Sequence, residues 1–281
     1  MKLFQPIQGS IESKETQENL IDRGQLQVNV TSSVNAFPVK EARISISYTG
    51  IPEQVVTDSS GQTELVELNA PPEEWSLDEN EERQPYSEYT LNIEAEGFES
   101  ISVSGTEILA NTKAIQNIRM KQKDQSREEE QVFVIPAHTL YGNYPPKIAE
   151  EEIKPVNETG EIVLSRVVVP EYIIVHDGSP RDSTAQNYYV KYKDYIKNVA
   201  SSEIYATWPA DTIRANVLAI MSFTLNRVYT EWYRNKGFDF TITSSTAFDH
   251  KWIPERNVYD TISVIVDELF ANYLSRPNVR Q

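Results

Sequence analysis

Cysteine is absent from the 281 residues, which excludes disulfides, thiolate nucleophiles and cysteine-ligated zinc. Histidine is scarce: His138, His176 and His250 stand far apart and lack ligand spacing, so no metal and no cofactor is expected. Long apolar runs are missing. Nothing reaches the roughly 18–20 residues that a membrane helix needs. The opening stretch MKLFQPIQGSIESKETQENL has no apolar core for a signal peptide. The expectation is a chain made in the cytosol without a standard secretion signal and with no membrane span. There is no basic stripe to hold nucleic acid. There is also no glycine-rich phosphate loop, no G-x-S-x-G and no H-E-x-x-H.

What remains is an ordinary soluble composition, 39% hydrophobic and 24% charged, in a chain long enough for two modest domains. The net charge of −16 is unevenly spread. Residues 1–164 hold 13 Lys+Arg and 29 Asp+Glu, so 13 − 29 = −16, whereas residues 165–281 hold 13 of each and balance. The first part repels polyanions and the second does not.

Residues 1–20 are polar and read as frayed or extended. From Gly24 the chain alternates apolar and polar residues: Leu26, Val28 and Val30, then Ile44, Ile46 and Tyr48, then Tyr89, Leu91, Ile93 and Ala95, then Ile101 and Val103. Turn-rich pieces separate these runs. Short alternating strands with regular turns predict an antiparallel β-sandwich over residues 21–121. The order of strands and turns resembles the carboxypeptidase-regulatory or prealbumin-like sandwich. Residues 122–166 read as an acidic connector containing a solvated charge run. The region 167–281 opens on an apolar run through EYIIVH, read as two buried strands or one broken one. Helical patterns follow over Tyr192–Ile204, from Trp208-Pro209 to Gly237, and over Val258–Ser275, with FDFTIT between them alternating like a strand. The fold class expected is multidomain: an all-β sandwich followed by an α+β, helix-dominated domain.

The most informative residue is Glu203. On a helix it shares a face with Ile196, Val199 and Ala200 at i, i+3, i+4 and i+7 spacing. A carboxylate on an apolar face loses solvation, and a carboxyl kept neutral near pH 7 is what a glycosidic general acid requires. The plain alternatives are that Glu203 turns to solvent or pairs with Arg214. His176-Asp177 and Asp249-His250 are acid/base pairs by sequence, or simply solvent-facing loop residues. Aromatics crowd the second part, among them Tyr205, Trp208, Trp232 and Trp252. Sugars stack on exposed rings, and core packing uses the same rings.

The run DYIKNVASSEIYATWPADTIRANVLAIMSFTLNRVY resembles the SpoIID/LytB family of bacterial sporulation and cell-wall proteins. The matching positions are Tyr195-Ile196 through Glu203-Ile204, Trp208-Pro209 and Thr212 to Val217. VVVPEYIIVHDGSP and LNRVYTEWYRNKGF are similar to the clostridial cortex-lytic members. The resemblance implies lytic transglycosylase activity on peptidoglycan, with Glu203 the catalytic acid and then base. It implies a substrate-binding set of Tyr205, Trp208, Arg214, Arg227, Asp249 and His250. It also implies a spore location, in cortex or coat, and a proform cut by a subtilisin-like protease at about Ser165, Arg166 and Val167. Met221 stands where the family carries an arginine, with Arg227 or Arg214 as substitutes. The likeness covers about residues 167–281, so the expectation is a chain lacking the family's C-terminal part. The competing expectation is a non-catalytic peptidoglycan-binding or structural sporulation protein.

Overall fold

The computed structural model describes residues 21–48, 50–123, 130–138, 140, 164–270 and 272–275. The segment 1–20 and most of the connector lie outside the described residues. Seven strands come first: β1 (Asp22–Ser32), β2 (Arg43–Ser47), β3 (Glu53–Val56), β4 (Val66–Ala70), β5 (Tyr86–Glu94), β6 (Ile101–Leu109) and β7 (Lys113–Met120), with a one-turn helix α1 (Glu74–Leu77) between β4 and β5. A connector strand follows, β8 (Gln131–Val134). The C-terminal part contributes β9 (Tyr172–His176), β10 (Asn187–Lys191), α2 (Tyr192–Glu203), α3 (Ala210–Tyr229), β11 (Ile242–Thr243), β12 (Val258–Tyr259) and α4 (Asp260–Leu269).

Alternation explains the long strands. In β1 the odd-numbered residues Arg23 to Thr31 point outward while Leu26, Val28 and Val30 are fully buried, which is the period of a half-buried strand. Three sheets form among the described residues, with strand orders β12-β7-β1-β4, β3-β2-β5-β6-β8 and β10-β9-β11. Each is mixed: β1 runs parallel to β7, β6 to β8, and β9 to β11. Gly105 is what lets β8 dock. It is the unpaired residue where the β5–β6 register shifts, at φ +88°, and a Cβ there would lie 2.3 Å from the carbonyl oxygen of Ile135.

These sheets correct the expected fold class. The molecule is β-rich, twelve strands against four α-helices among the described residues, in mixed sheets, and it is not helix-dominated. Three local readings explain the difference. The predicted helix from Val258 begins only at Asp260, because Val258 and Tyr259, β-branched and aromatic, pair with Ile115 and Ala114 of β7. That helix also ends at Leu269 rather than Ser275. FDFTIT yields only the two-residue β11, and the apolar run before it yields the single strand β9. The helix α2 forms where its periodicity places it, whereas α3 starts as expected after Pro209 but ends at Tyr229, eight residues short of Gly237; a turn and a short 3-10 helix (Arg234–Lys236) intervene, and it is the latter that Gly237 closes in the left-handed conformation, φ +84°.

The buried side chains of β1, β2, β5 and β6 run continuously into those of α2, α3, β12 and α4. One hydrophobic cluster holds Leu26, Ile44 and Leu91 together with Tyr195, Val199, Val217, Tyr259 and Ile262. A second, small cluster of Trp232, Tyr233 and Phe240 sits on the outer side of β9.

Candidate functional site

The site is built on the last turn of α2. Tyr192, Tyr195, Ile196, Val199 and Ala200 form its buried face and pin the helix to the core. The helix stops at Ile204, whose backbone is extended, φ −139° and ψ 157°. Glu203, the last helical residue, is therefore half-buried at the mouth of that face. Its Oε1 accepts the backbone N–H of Lys251 at 2.8 Å. Arg214 does not pair with it; that guanidinium binds Glu268 of α4. So neither plain alternative holds, and a backbone amide from the 249–256 loop orients the carboxyl.

Two further residues of α2 hold the same loop. The Asn198 side chain donates to the carbonyl of Ile253 at 2.7 Å and accepts its N–H at 3.1 Å. The carbonyl of Ser201 accepts from Arg256 at 2.7 Å. Asn198 and Ser201 carried no signal in the sequence: both lie on the buried side and read as polar interruptions. Asn198 supplies the donor-acceptor pair that a neighbouring strand would otherwise give the loop.

The implied substrate-binding set divides. Asp249 and Arg227 are both buried and belong to the fold. The Asp249 carboxylate accepts from Arg227 Nε at 2.8 Å, from Tyr233 Oη at 2.6 Å, and from Thr243 N and Oγ1 at 2.9 and 2.6 Å. The Arg227 guanidinium stacks 4.6 Å from the ring centroids of both Phe223 and Trp232. Burial and the neighbouring Asp249 push the Tyr233 hydroxyl far above its ordinary value. This network braces α3 against β11, and as placed it offers no surface to a polymer. Tyr205 is also buried, its ring edge-on to His138 at 4.8 Å. Trp208 donates its Nε1–H to the carbonyl of Ser76 in α1 at 3.0 Å, which ties the C-terminal part to the N-terminal sheets. His250 is half-buried, with Nδ1 3.3 Å from the Tyr195 hydroxyl and its ring 4.7 Å from Phe223. Burial raises that tyrosine well above its ordinary value, with Asp249 and Glu203 adding to the effect.

Directly behind the site lies a buried charge cluster that the sequence did not disclose. Glu107 of β6 and Arg256 form a two-pronged ion pair, both fully buried. His138 of the connector stands 3.4 Å from the same carboxylate, and its backbone N–H donates to the Tyr86 hydroxyl at 2.6 Å. The side chain of Asn257 brackets the Glu107 backbone, accepting its N–H at 3.1 Å and donating to its carbonyl at 3.0 Å. Burial alone would push the Glu107 carboxyl up, but Arg256 and His138 hold it below the usual carboxylate range. Burial drives His138 the other way, below its ordinary value, and Glu107 only partly offsets this.

Ser165 and Arg166, the implied cleavage point, are exposed and lie outside any helix or strand; Val167 packs partly against the core. Among the described residues no cluster of His, Asp or Glu has the arrangement of a metal site, and no helix is long and apolar enough to cross a membrane.

No family model matches the chain, and no curated protein matches it. Solved structures match only in part. The TIE protein of Bacillus anthracis is 14% identical over 36% of this chain and 17% of its own, with a TM-score of 0.25. Catechol 1,2-dioxygenase of Acinetobacter radioresistens is 10% identical over 42% of this chain and 60% of its own, with a TM-score of 0.27. A cohesin–X-dockerin complex of Acetivibrio cellulolyticus is 14% identical over 38% and 64%, with a TM-score of 0.25. These likenesses are too slight to bear on the site.

Proposed function

We propose that the protein is a lytic transglycosylase of peptidoglycan glycan strands, acting in the spore, with Glu203 as its single acid/base. Two things support this reading: the motif likeness to the SpoIID/LytB family, and the placement of Glu203. The observation that carries it is that placement. The carboxyl sits at the mouth of an apolar helix face, oriented by a backbone amide, and it is not paired with Arg214. In the proposed step the carboxyl protonates the glycosidic oxygen as the C1–O bond breaks. It then accepts the proton of the muramic C6 hydroxyl as O6 bonds to C1. The product is a 1,6-anhydro end, no water is consumed, and one carboxyl does both jobs. Exposed Ser165 and Arg166 are accessible to an activating protease of the subtilisin type.

The second reading is a non-catalytic peptidoglycan-binding or structural sporulation protein. It is favoured by the use of Arg227, Asp249, Tyr205 and Trp208 for packing. Digestion separates the two. Purified cortex and vegetative peptidoglycan are incubated with the chain and with Glu203→Gln, and released muropeptides are read by mass spectrometry. Anhydro-ended fragments that disappear in Glu203→Gln are expected. Co-sedimentation with the glycan and no fragments from either form would establish the second reading instead.

A further inference from the structure

We infer that a cleft at the open end of the two large sheets is a binding site for an organic monocation, an amine carried on an apolar stem. The inference is independent of Glu203 and of the transglycosylase reading. The cleft, of about 590 Å³, opens where the β1–β2 loop faces the β5–β6 turn. Its volume falls within the ~300–1,000 Å³ of small-molecule sites.

The residue pattern of the strands makes the cleft. Leu26, Val28 and Val30 of β1 face inward, and the next residue of that row is Ser32. The inward row of β5, Leu91 and Ile93, is continued by Ala95. Two small side chains thus stand where larger ones would close the core, and both line the cleft. Ser32 is 5% exposed, and its hydroxyl has no hydrogen-bond partner among the described residues. A buried hydroxyl of this kind calls for a ligand that can reach it. The walls are fixed before any ligand arrives. Ser32 N donates to the Phe37 carbonyl at 2.8 Å, Val39 N to the Val30 carbonyl at 3.0 Å, and Thr57 Oγ1 to the Val39 carbonyl at 2.7 Å.

The chemistry of the lining selects the ligand class. At the rim Lys40 lies 3.7 Å from Glu41 and Arg43 lies 3.9 Å from Glu94, so both rim cations already face carboxylates. Glu96 is left over, with no ion-pair partner among the described residues. That carboxylate and the acidic N-terminal part, −16 over residues 1–164, attract a cation and repel an anion. Phe37, 67% exposed, and Phe98 line the same cleft. Aromatic faces attract an organic cation and cover its stem, which an inorganic cation would leave unused. An ammonium brings three donors, and Ser32 Oγ and the Glu96 carboxylate supply acceptors for them.

An amide NMR titration of the full chain with n-pentylammonium tests this. The amides of Ser32, Phe37 and Phe98 are expected to shift saturably, and those beside Glu203 to stay in place. Pentanoate, of similar stem and opposite charge, is expected to move none of them. Glu96→Gln and Phe37→Ala, both at exposed positions, should each weaken binding about three- to fivefold, with Glu53→Gln on β3 as an unaffected control. Ser32→Val, which fills the throat, should abolish it; should that variant fail to melt cooperatively, the two surface variants carry the test. No saturable shift with pentylammonium, equal shifts with pentanoate, or full affinity in both surface variants overturns the inference. Nα-acetyl-lysine methylamide is titrated beside the amine. Tighter binding than pentylammonium upholds the site and identifies its ligand as a lysine side chain of a partner protein; weaker binding upholds it for a free amine. No glycan enters the readout, so the site stands or falls apart from the transglycosylase reading.

Discussion

At the scale of single residues, the buried carboxylates decide most. Glu107 and Arg256 are fully desolvated, so each depends on the other. Arg256→Met leaves a buried charge uncompensated and should cost about 3–5 kcal/mol of stability, read by urea unfolding. Pairing it with Glu107→Leu should recover much of that loss; no recovery would mean that the pair contributes little. Glu255 behaves differently. Burial raises its carboxyl to about 7, Arg119 opposing the shift, and its backbone is left-handed at φ 55°. The folded protein therefore holds this proton more tightly than the unfolded chain, whose carboxyl titrates near 4.5. The group's contribution is intact below that value and is lost as pH rises toward 7. Glu255→Gln should thus stabilise by about 1–3 kcal/mol at pH 8 and by nothing at pH 4. A pH-independent difference in Tm would refute this. Glu203 was legible from its position on an apolar face. The burial of Asp249 was not, because nothing in an Asp-His dipeptide announces four donors from Arg227, Tyr233 and Thr243.

At the scale of elements, α2 is the organiser. Asn198, Ser201 and Glu203 each fasten the 251–256 loop. Asn198→Ala removes both bonds to Ile253 and strands two buried backbone groups, an expected loss of about 1–3 kcal/mol. Hydrogen exchange should rise first at the amides of Lys251 and Ile253; protection unchanged there would show that the loop is held by other means. The helix α2 and the start of α3 were legible because their periodicity is long; the end of α3 at Tyr229 was not, since Trp232 continues the apolar pattern past it. β7, β8 and β12 were not. β8 and β12 are four and two residues long, and each exists because a distant edge accepts it, β6 for one and β7 for the other. The β1–β7 pairing was equally hidden, since alternation reports which face is buried and says nothing of which strand lies alongside.

At the scale of the molecule, the division read from charge is not a mechanical one. The acidic N-terminal part and the balanced C-terminal part share the Glu107–Arg256 pair, the β7–β12 pairing and the Trp208–Ser76 bond. A protease cut at Ser165–Val167 would sever the chain on the surface and leave all three in place. The two fragments are expected to co-elute on gel filtration and to separate only in denaturant; separate elution in native buffer would contradict this.

The same pair also sets a schedule. Its two residues lie 149 positions apart. At ~5–20 residues per second, a ribosome needs roughly 7–30 s to make that much chain. Throughout that interval Glu107 has no guanidinium, and the outer edge of β7 stays bare because β12 lies just beyond Arg256. The carboxylate of β6 therefore waits for the Arg256 segment before its buried charge is compensated.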